Sequence, residues 1–315
     1  MRAAIVTELG QPPSPGELSE PSAEEGEVVL EVLAAPLNPL DVAVSNFAFY
    51  GGHPELPYVP GAEVVGRVRG SGEVVWAFGA GLGLARNGGM AELAVVPEER
   101  LTRVPEGADP ALAGALGIAG LAGWLPLAVR TPVRAGETVL VLGATGTVGL
   151  VAVQAARLLG AGTIVAAGRS EEGLARAHER GADAVVRLGE AFEDDLREAV
   201  GDDGVSLIFD PIWGEPLAAA LEVAAPRARI VHLGQSAGPT AALASGTVRG
   251  KELELFGHSN FAVPIDVLRR EYDRLVRHAE AGEIRIDVER IPLEDVATAW
   301  QRQQQGEHVK LVLVP

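Results

Sequence analysis

TVLVLGATGTVG, residues 138–149, is an apolar run of strand character that breaks into a glycine-spaced turn and passes directly into LVAVQAARLL, a run of helical period. Strand, turn and helix together make a dinucleotide-binding signature. The backbone must turn tightly and approach a pyrophosphate closely, and the helix N-terminus offers N–H donors to the phosphates. The glycines are Gly143, Gly146 and Gly149, with Ala144 standing where a strict GxGxxG has its first glycine. The spacing alone is a weak pattern and gains its force from the flanking strand and helix; an ordinary βα turn is the competing reading.

Downstream, the same alternation repeats. TIVAA precedes a helix over 171–180 stopped by Gly181, AVVR precedes one over 190–200, SLIFD one over 215–224, and RIVHL follows. Repeated βα units predict a parallel, doubly wound sheet, with LELF at 253–256 as an edge strand. The first 120 or so residues instead read as short strands at 3–7, 27–34, 63–68, 73–78 and 90–96 among glycines and prolines, the pattern of a compact β-barrel. The tail carries an amphipathic helix over 264–281, a strand at 284–288, a helix over 293–305 and a final strand, VKLVLV. It is not a further βα unit, and it is expected to return to the N-terminal module.

The chain has 315 residues, 47% of them hydrophobic, and a formal charge of -17. That length favours two domains, and the negative field opposes binding to a phosphate backbone, so no nucleic-acid partner is expected. No apolar run is read as reaching the roughly 18 residues of a spanning helix, and the N-terminus passes straight into a strand, so a cytoplasmic protein without a membrane partner is expected. There is no cysteine, which excludes disulfides, thiolate nucleophiles and cysteine-ligated zinc. The six histidines show no metal-ligand spacing, and lysine occurs only at 251 and 310.

The segments AAPLNPLDVAV (34–44), LPYVPGAEVVGRV (56–68), GGMAELAVVP (88–97), RAGETVLVLGATGTVGLVAVQAARLLGA (134–161), ERGADAVV (179–186), FDPIWGEPL (209–217), ARIVHLGQSAG (228–238) and GHSNF (257–261), in this order, resemble the medium-chain dehydrogenase/reductase superfamily, in its zinc-free, quinone-oxidoreductase-like branch. The resemblance covers nearly the whole chain. It implies an α/β protein with a GroES-like β-barrel domain, residues 1–118 completed by 262–315, and a Rossmann domain of doubly wound parallel sheet, residues 119–261, with the active site in the cleft between them. Zinc-dependent members carry a histidine in a PGHE segment and a cysteine ligand. Here the segment is Pro60, Gly61, Ala62, Glu63, so carbonyl polarisation falls to hydrogen bonds.

After the second Rossmann strand stand Gly168, Arg169 and Ser170, where an NAD-preferring chain offers an acid to the ribose. An arginine there suits the 2′-phosphate of NADPH, a serine can add a donor, and the glycine leaves space. The alternative is a solvated turn arginine paired with Glu171 or Glu172. From the resemblance, Thr145, Gly146, Thr147 and Val148 line the pyrophosphate, Leu233 and Gly234 flank the nicotinamide, Ser259 and Asn260 contact cofactor, and Lys310 reaches an NADPH phosphate; a lone lysine on a terminal strand is otherwise solvated.

Hydride transfer is carried by the nicotinamide, so no acid–base pair is obligatory. Relatives follow the NPxD segment with Tyr, Arg and Tyr; this chain has Asn38 and Asp41 but then Ala43, Ser45 and Phe49, and Ala122 replaces a threonine expected beside the nicotinamide amide. Tyr50 is the remaining side-chain donor, or else part of an aromatic plug with Phe47 and Phe49. Asn38 is a candidate to hold substrate or ribose, or a turn residue, and Asp41 to accept nearby backbone donors. The expected function is NADPH-dependent, zinc-independent reduction of a quinone or other conjugated carbonyl. A non-catalytic NADPH-binding sensor or structural protein, and a 2-enal or enoyl-thioester reductase, are the alternatives. A homodimer is expected, because relatives pair the edge strand at 253–256 across a two-fold axis.

Overall fold

The computed structural model describes residues 1–49, 51–306 and 308–315. In chain order the elements are β1 (Arg2–Ile5), β2 (Ser14–Glu17), β3 (Glu27–Pro36), α1 (Pro39–Ser45), β4 (Glu63–Val68), β5 (Val74–Phe78), β6 (Leu93–Pro97), β7 (Leu101–Arg103), α2 (Pro110–Ala115) and α3 (Leu121–Leu125). They continue with β8 (Thr138–Val141), α4 (Thr147–Leu158), β9 (Thr163–Gly168), α5 (Glu171–Glu179), β10 (Ala184–Arg187), α6 (Phe192–Val200), β11 (Val205–Asp210), α7 (Gly214–Glu222), β12 (Ala224–His232), α8 (Ser245–Gly250) and β13 (Glu254–Gly257). The last are α9 (Ile265–Glu280), β14 (Val288–Pro292), α10 (Val296–Gln305) and β15 (Lys310–Val314).

The chain divides into two compact units, one comprising Met1–Ala119, Pro264–Glu280 and Ile286–Pro315, the other Gly120–Val263 and Ala281–Arg285. In the first, a seven-stranded sheet runs in the order β14-β15-β3-β4-β5-β7, with β6 on β3, and β1 pairs with β2 apart from it. The C-terminal strand enters through Val312 opposite Pro36 and Leu313 opposite Ala35, so β3 is covered on both edges. Alternating apolar residues of these strands, with Trp300 and Val296 of α10, form the core. Trp76 and Tyr272 stack in this unit with ring centroids 4.6 Å apart, and the Tyr272 hydroxyl donates to Ala113 O at 2.9 Å.

The second unit holds a six-stranded sheet, β10-β9-β8-β11-β12-β13, with every pairing parallel. The order reverses between β8 and β11, and ligands of such sheets bind outside the carboxyl ends of the strands at that point. The strands are near-continuous Val, Ile, Leu and Ala runs because both faces are covered. Gln154 of α4 fixes the excursion at Ala281–Arg285 by accepting from Arg285 N at 2.8 Å and donating to its carbonyl at 3.0 Å.

Three expectations are corrected. The tail strand lies at Val288–Pro292 rather than 284–288, in register with β15. Ser14–Glu17 and Leu101–Arg103 pair as strands although neither has the alternating pattern. The helical stretch Pro110–Arg130 is long and apolar enough, by length and composition, to cross a membrane, where no such run was read. Two helices meet at a kink at Gly117, wide turns run on through Pro126, and 72% of the most apolar window is buried in the protein.

Candidate functional site

The glycine turn after β8 has the geometry the sequence demands. Gly143 sits at φ +63°, a conformation that side chains disfavour, and a Cβ there would lie 2.8 Å from Ile212 Cγ2. A Cβ on Gly149 would press into Gly143 O and lie 2.6 Å from Ala144 Cα, so only glycine lets α4 start this close to β8. Gly146 has open space around it and is the residue before α4, whose first turn begins at Thr147 and Val148. Thr145 is buried, its methyl filling the space that Gly168 and Gly173 leave by having no side chain.

At the carboxyl end of β9, Arg169 is exposed and has no hydrogen bond or ion pair among the described residues. The pairing with Glu171 or Glu172 does not form: Glu171 faces Arg187 at 3.4 Å and Glu172 faces Arg176 at 4.0 Å. Ser170 caps α5 by accepting from Gly173 N at 3.2 Å, which leaves its hydroxyl hydrogen free to donate. Free helix-start amides after the open Gly146 and an unpaired guanidinium, at the carboxyl ends of neighbouring strands, fit a dinucleotide carrying a 2′-phosphate.

The same edge carries a pair of groups that the sequence reading missed. Asp210 ends β11 and His232 ends β12, opposite each other in parallel register. Asp210 is fully buried; its Oδ1 accepts from Ile212 N at 3.0 Å and Trp213 N at 2.8 Å, and its Oδ2 lies 2.9 Å from His232 Nδ1. Trp213 packs on the imidazole at 4.1 Å between centroids. Leu233 N donates to Asp210 O, and a Cβ on Gly234 would press into Pro211 O, so Leu233 and Gly234 lie against the turn that also abuts Gly143. Ser259 is half-buried; Asn260 is buried, with its Oδ1 3.0 Å from His258 Nε2. An acid and a histidine at the C-terminal ends of adjacent parallel strands were the available signal.

In the first unit, Asn38, Asp41, Glu63 and Lys310 form a buried cluster. Asn38 precedes α1 in a capping box: its N–H donates to Asp41 Oδ2 at 2.8 Å. Asp41 Oδ1 accepts from Ala62 N at 2.8 Å, the role expected of it. Asn38 Nδ2 donates to Glu63 Oε1 at 2.8 Å, while Lys310 Nζ donates to Asn38 Oδ1 at 2.6 Å and Leu37 O at 2.7 Å. Glu63 Oε2 accepts from Trp76 Nε1 and Ile118 N. Burial pushes the Asp41 carboxyl up to about 6 and raises Glu63 as well, against the pull of the Lys310 charge; the same burial lowers Lys310.

Two candidates are thereby corrected. Asn38 is 1% exposed with both side-chain atoms engaged, so it holds the barrel together rather than a substrate. Lys310 is 3% exposed and spends its ammonium on Asn38 and Leu37, so it is neither solvated nor free for a phosphate. Their partners lie more than 270 residues apart in sequence, and no local pattern joins them. Tyr50 lies outside the described residues. Phe47 is exposed, with its ring 5.3 Å from that of His53, while Phe49 packs with Val6, Val44 and Tyr58.

Residues 24–106 match the family model described as alcohol dehydrogenase GroES-like domain, and residues 147–279 the one described as zinc-binding dehydrogenase. A quinone oxidoreductase of Lama guanicoe is 30% identical over 96% of this chain and 93% of its own. The chain belongs to the medium-chain dehydrogenase/reductase superfamily, in its quinone-oxidoreductase-like branch. It is an oxidoreductase of this superfamily, built from a GroES-like barrel and a Rossmann sheet. The human quinone oxidoreductase is 29% identical over the same shares of the two chains. A crystal structure described as the quinone oxidoreductase from Thermus thermophilus and its complex with NADPH matches with a TM-score of 0.83 at 29% identity, over the full length of both chains.

The description of the C-terminal family model names zinc, but the superfamily's zinc does not fit here. Ala62 stands at the histidine position and the chain has no cysteine. Among the described residues, no group of three His, Cys, Asp or Glu side chains is placed to hold a metal ion.

Proposed function

We propose that this oxidoreductase binds NADPH and uses it, without zinc, to reduce a quinone or another conjugated carbonyl. The observation that carries the cofactor choice is the exposed, unpaired guanidinium of Arg169 at the end of β9, in the position that meets a ribose 2′-substituent. Bound NADPH supplies the hydrogen and two electrons of the reduction. The chain's part is to bind and orient: the first amides of α4 at Thr147 and Val148 hold the pyrophosphate against the glycine turn. Arg169 and the Ser170 hydroxyl hold the 2′-phosphate, and the strand end at Leu233 and Gly234 flanks the nicotinamide. The quinone acceptor rests on the kind of relative the chain resembles, including one crystallised with NADPH.

Arg169→Ala is expected to weaken NADPH binding by about 1.5–3 kcal/mol, the range for hydrogen bonds to a charged group, and to leave NADH binding nearly unaltered. Equal loss for both cofactors would make Arg169 structural, and a wild type that prefers NADH would refute the reading. Protein that binds NADPH but turns over no quinone, enal or enoyl thioester would instead be a non-catalytic binder. Metal independence belongs to the same proposal: exhaustive chelation should leave activity and melting temperature unchanged, and stoichiometric zinc in purified protein would overturn it. A cytoplasmic site of action is proposed alongside.

A further inference from the structure

We propose that His232, held by Asp210, is the proton donor that completes the reduction; this rests on the reductase reading above. The pair occupies the carboxyl ends of β11 and β12, and its turn touches the first glycine of the nucleotide loop. The Cβ position of Gly143 lies 2.8 Å from Ile212 Cγ2 and 3.3 Å from Pro211 Cγ. Asp210 accepts two backbone N–H groups on Oδ1, which leaves Oδ2 to demand a hydrogen from His232 Nδ1. The imidazole is thus fixed with its proton on Nδ1 and with Nε2, which has no partner among the described residues, as its working nitrogen. A carboxylate in this place orients the ring.

Two further features single the pair out. Trp213, whose ring packs at a tilt against the imidazole, sits at φ +60°, ψ -161°, a region that residues with side chains enter at a cost of order 1–3 kcal/mol and that clusters at functional sites. Its strain is held in place by the Asp210 carboxylate. The His232 side chain is 28% exposed while Asp210 is fully enclosed, so the imidazole is reachable and its partner is not.

The chemistry balances simply. An acceptor that has taken up two electrons and one hydrogen from the reduced nicotinamide is an anion one proton short of product. The Nε2–H bond of the imidazolium breaks as the new O–H bond forms; His232 is left neutral, Asp210 stays a carboxylate, and water restores the proton. On the adjoining elements, Asp210 of β11 meets the imidazole, His258 follows β13, and the Arg130 guanidinium donates to Gly257 O, opposite His232 in register; Glu254 stands at the other end of β13, opposite Arg229, and α7 adds Glu215 and Glu222. His258 gives its backbone N–H to His232 O, and its own imidazole is committed to Asn260 and pushed below the ordinary imidazole range by burial.

The test pairs kinetics with a measurement that needs no cofactor. His232→Gln should lower kcat with para-benzoquinone about 10²-fold or more, flatten the fall of kcat at high pH, and leave NADPH affinity within about threefold of wild type. In the protein without cofactor, nitrogen NMR should find the neutral imidazole of His232 protonated on Nδ1, and Asp210→Asn should move that proton to Nε2 with a comparable loss of kcat. A wild type active with NADPH whose His232→Gln variant keeps kcat within about threefold overturns the proton-donor role alone, as does a wild-type proton on Nε2. A wild type that binds NADPH and reduces no acceptor overturns the reductase reading, and the donor role falls with it.

Discussion

Lys310→Met removes one ammonium from a site where two buried carboxyl groups share it, and keeps the length of its apolar stem. Wild-type Lys310 gives two hydrogen bonds, to Asn38 Oδ1 and Leu37 O, and its charge is felt by both Asp41 and Glu63. Breaking a buried charged set by removing one partner costs about 3–5 kcal/mol. The cost depends on pH in a definite sense. Asp41 already stands at about 6 against an ordinary 3.8, so the folded state holds a proton that the unfolded chain has released. That shift is worth about 3 kcal/mol of stability, present below about pH 4 and lost as pH rises through 6. Without Lys310 both carboxyls move further up, and protonation relieves them in acid. Urea unfolding at about pH 8 should show the full deficit, and at about pH 5 a deficit at least 1 kcal/mol smaller. A variant within about 1 kcal/mol of wild type at about pH 8, or an equal deficit at both values, would refute the argument that Lys310 is the counter-charge of this cluster.

Gly149→Ala is expected to push α4 away from Gly143 and to weaken NADPH binding at least about tenfold, read by titration of the cofactor; unchanged affinity would mean the turn does not hold the pyrophosphate. The edge strand β13 exposes Leu255 at 53%, and pairing of two copies along it is expected to make a homodimer at micromolar concentration; a monomer in sedimentation would count against it.

The Rossmann half was legible because its physics is local. Each buried parallel strand is a short apolar run, each helix carries an amphipathic stripe, and Gly160 and Gly181 stop helices where their positive φ lets the chain turn. The barrel was legible in outline only. SPGE and LTR have no alternation to betray them, and both IRIDV and VERIP could serve as a strand until the pairing of Val288 with Lys310 chose between them. The cofactor cradle could be read from spacing, since glycine is needed where backbones meet. The fate of Asn38 and Lys310 could not, because their hydrogen bonds are made between the first and last segments of the chain. Asp210 and His232 lay between these cases: each is visible at a strand end, and parallel register alone brings them together.

The two lysines have a practical corollary. Lys310 is sealed inside the barrel, and Lys251 points its amine at the last carbonyls of α7, Leu221 O and Glu222 O, while the Met1 amine donates to Leu18 O. All other basic side chains besides histidine are arginine. Amine-directed labels and cross-linkers, which attack an unprotonated nitrogen in water, therefore meet a surface with almost nothing to acylate. Guanidinium- or carboxylate-directed reagents are the ones suited to map its contacts, and acylation of Lys310 would report opening of the barrel itself.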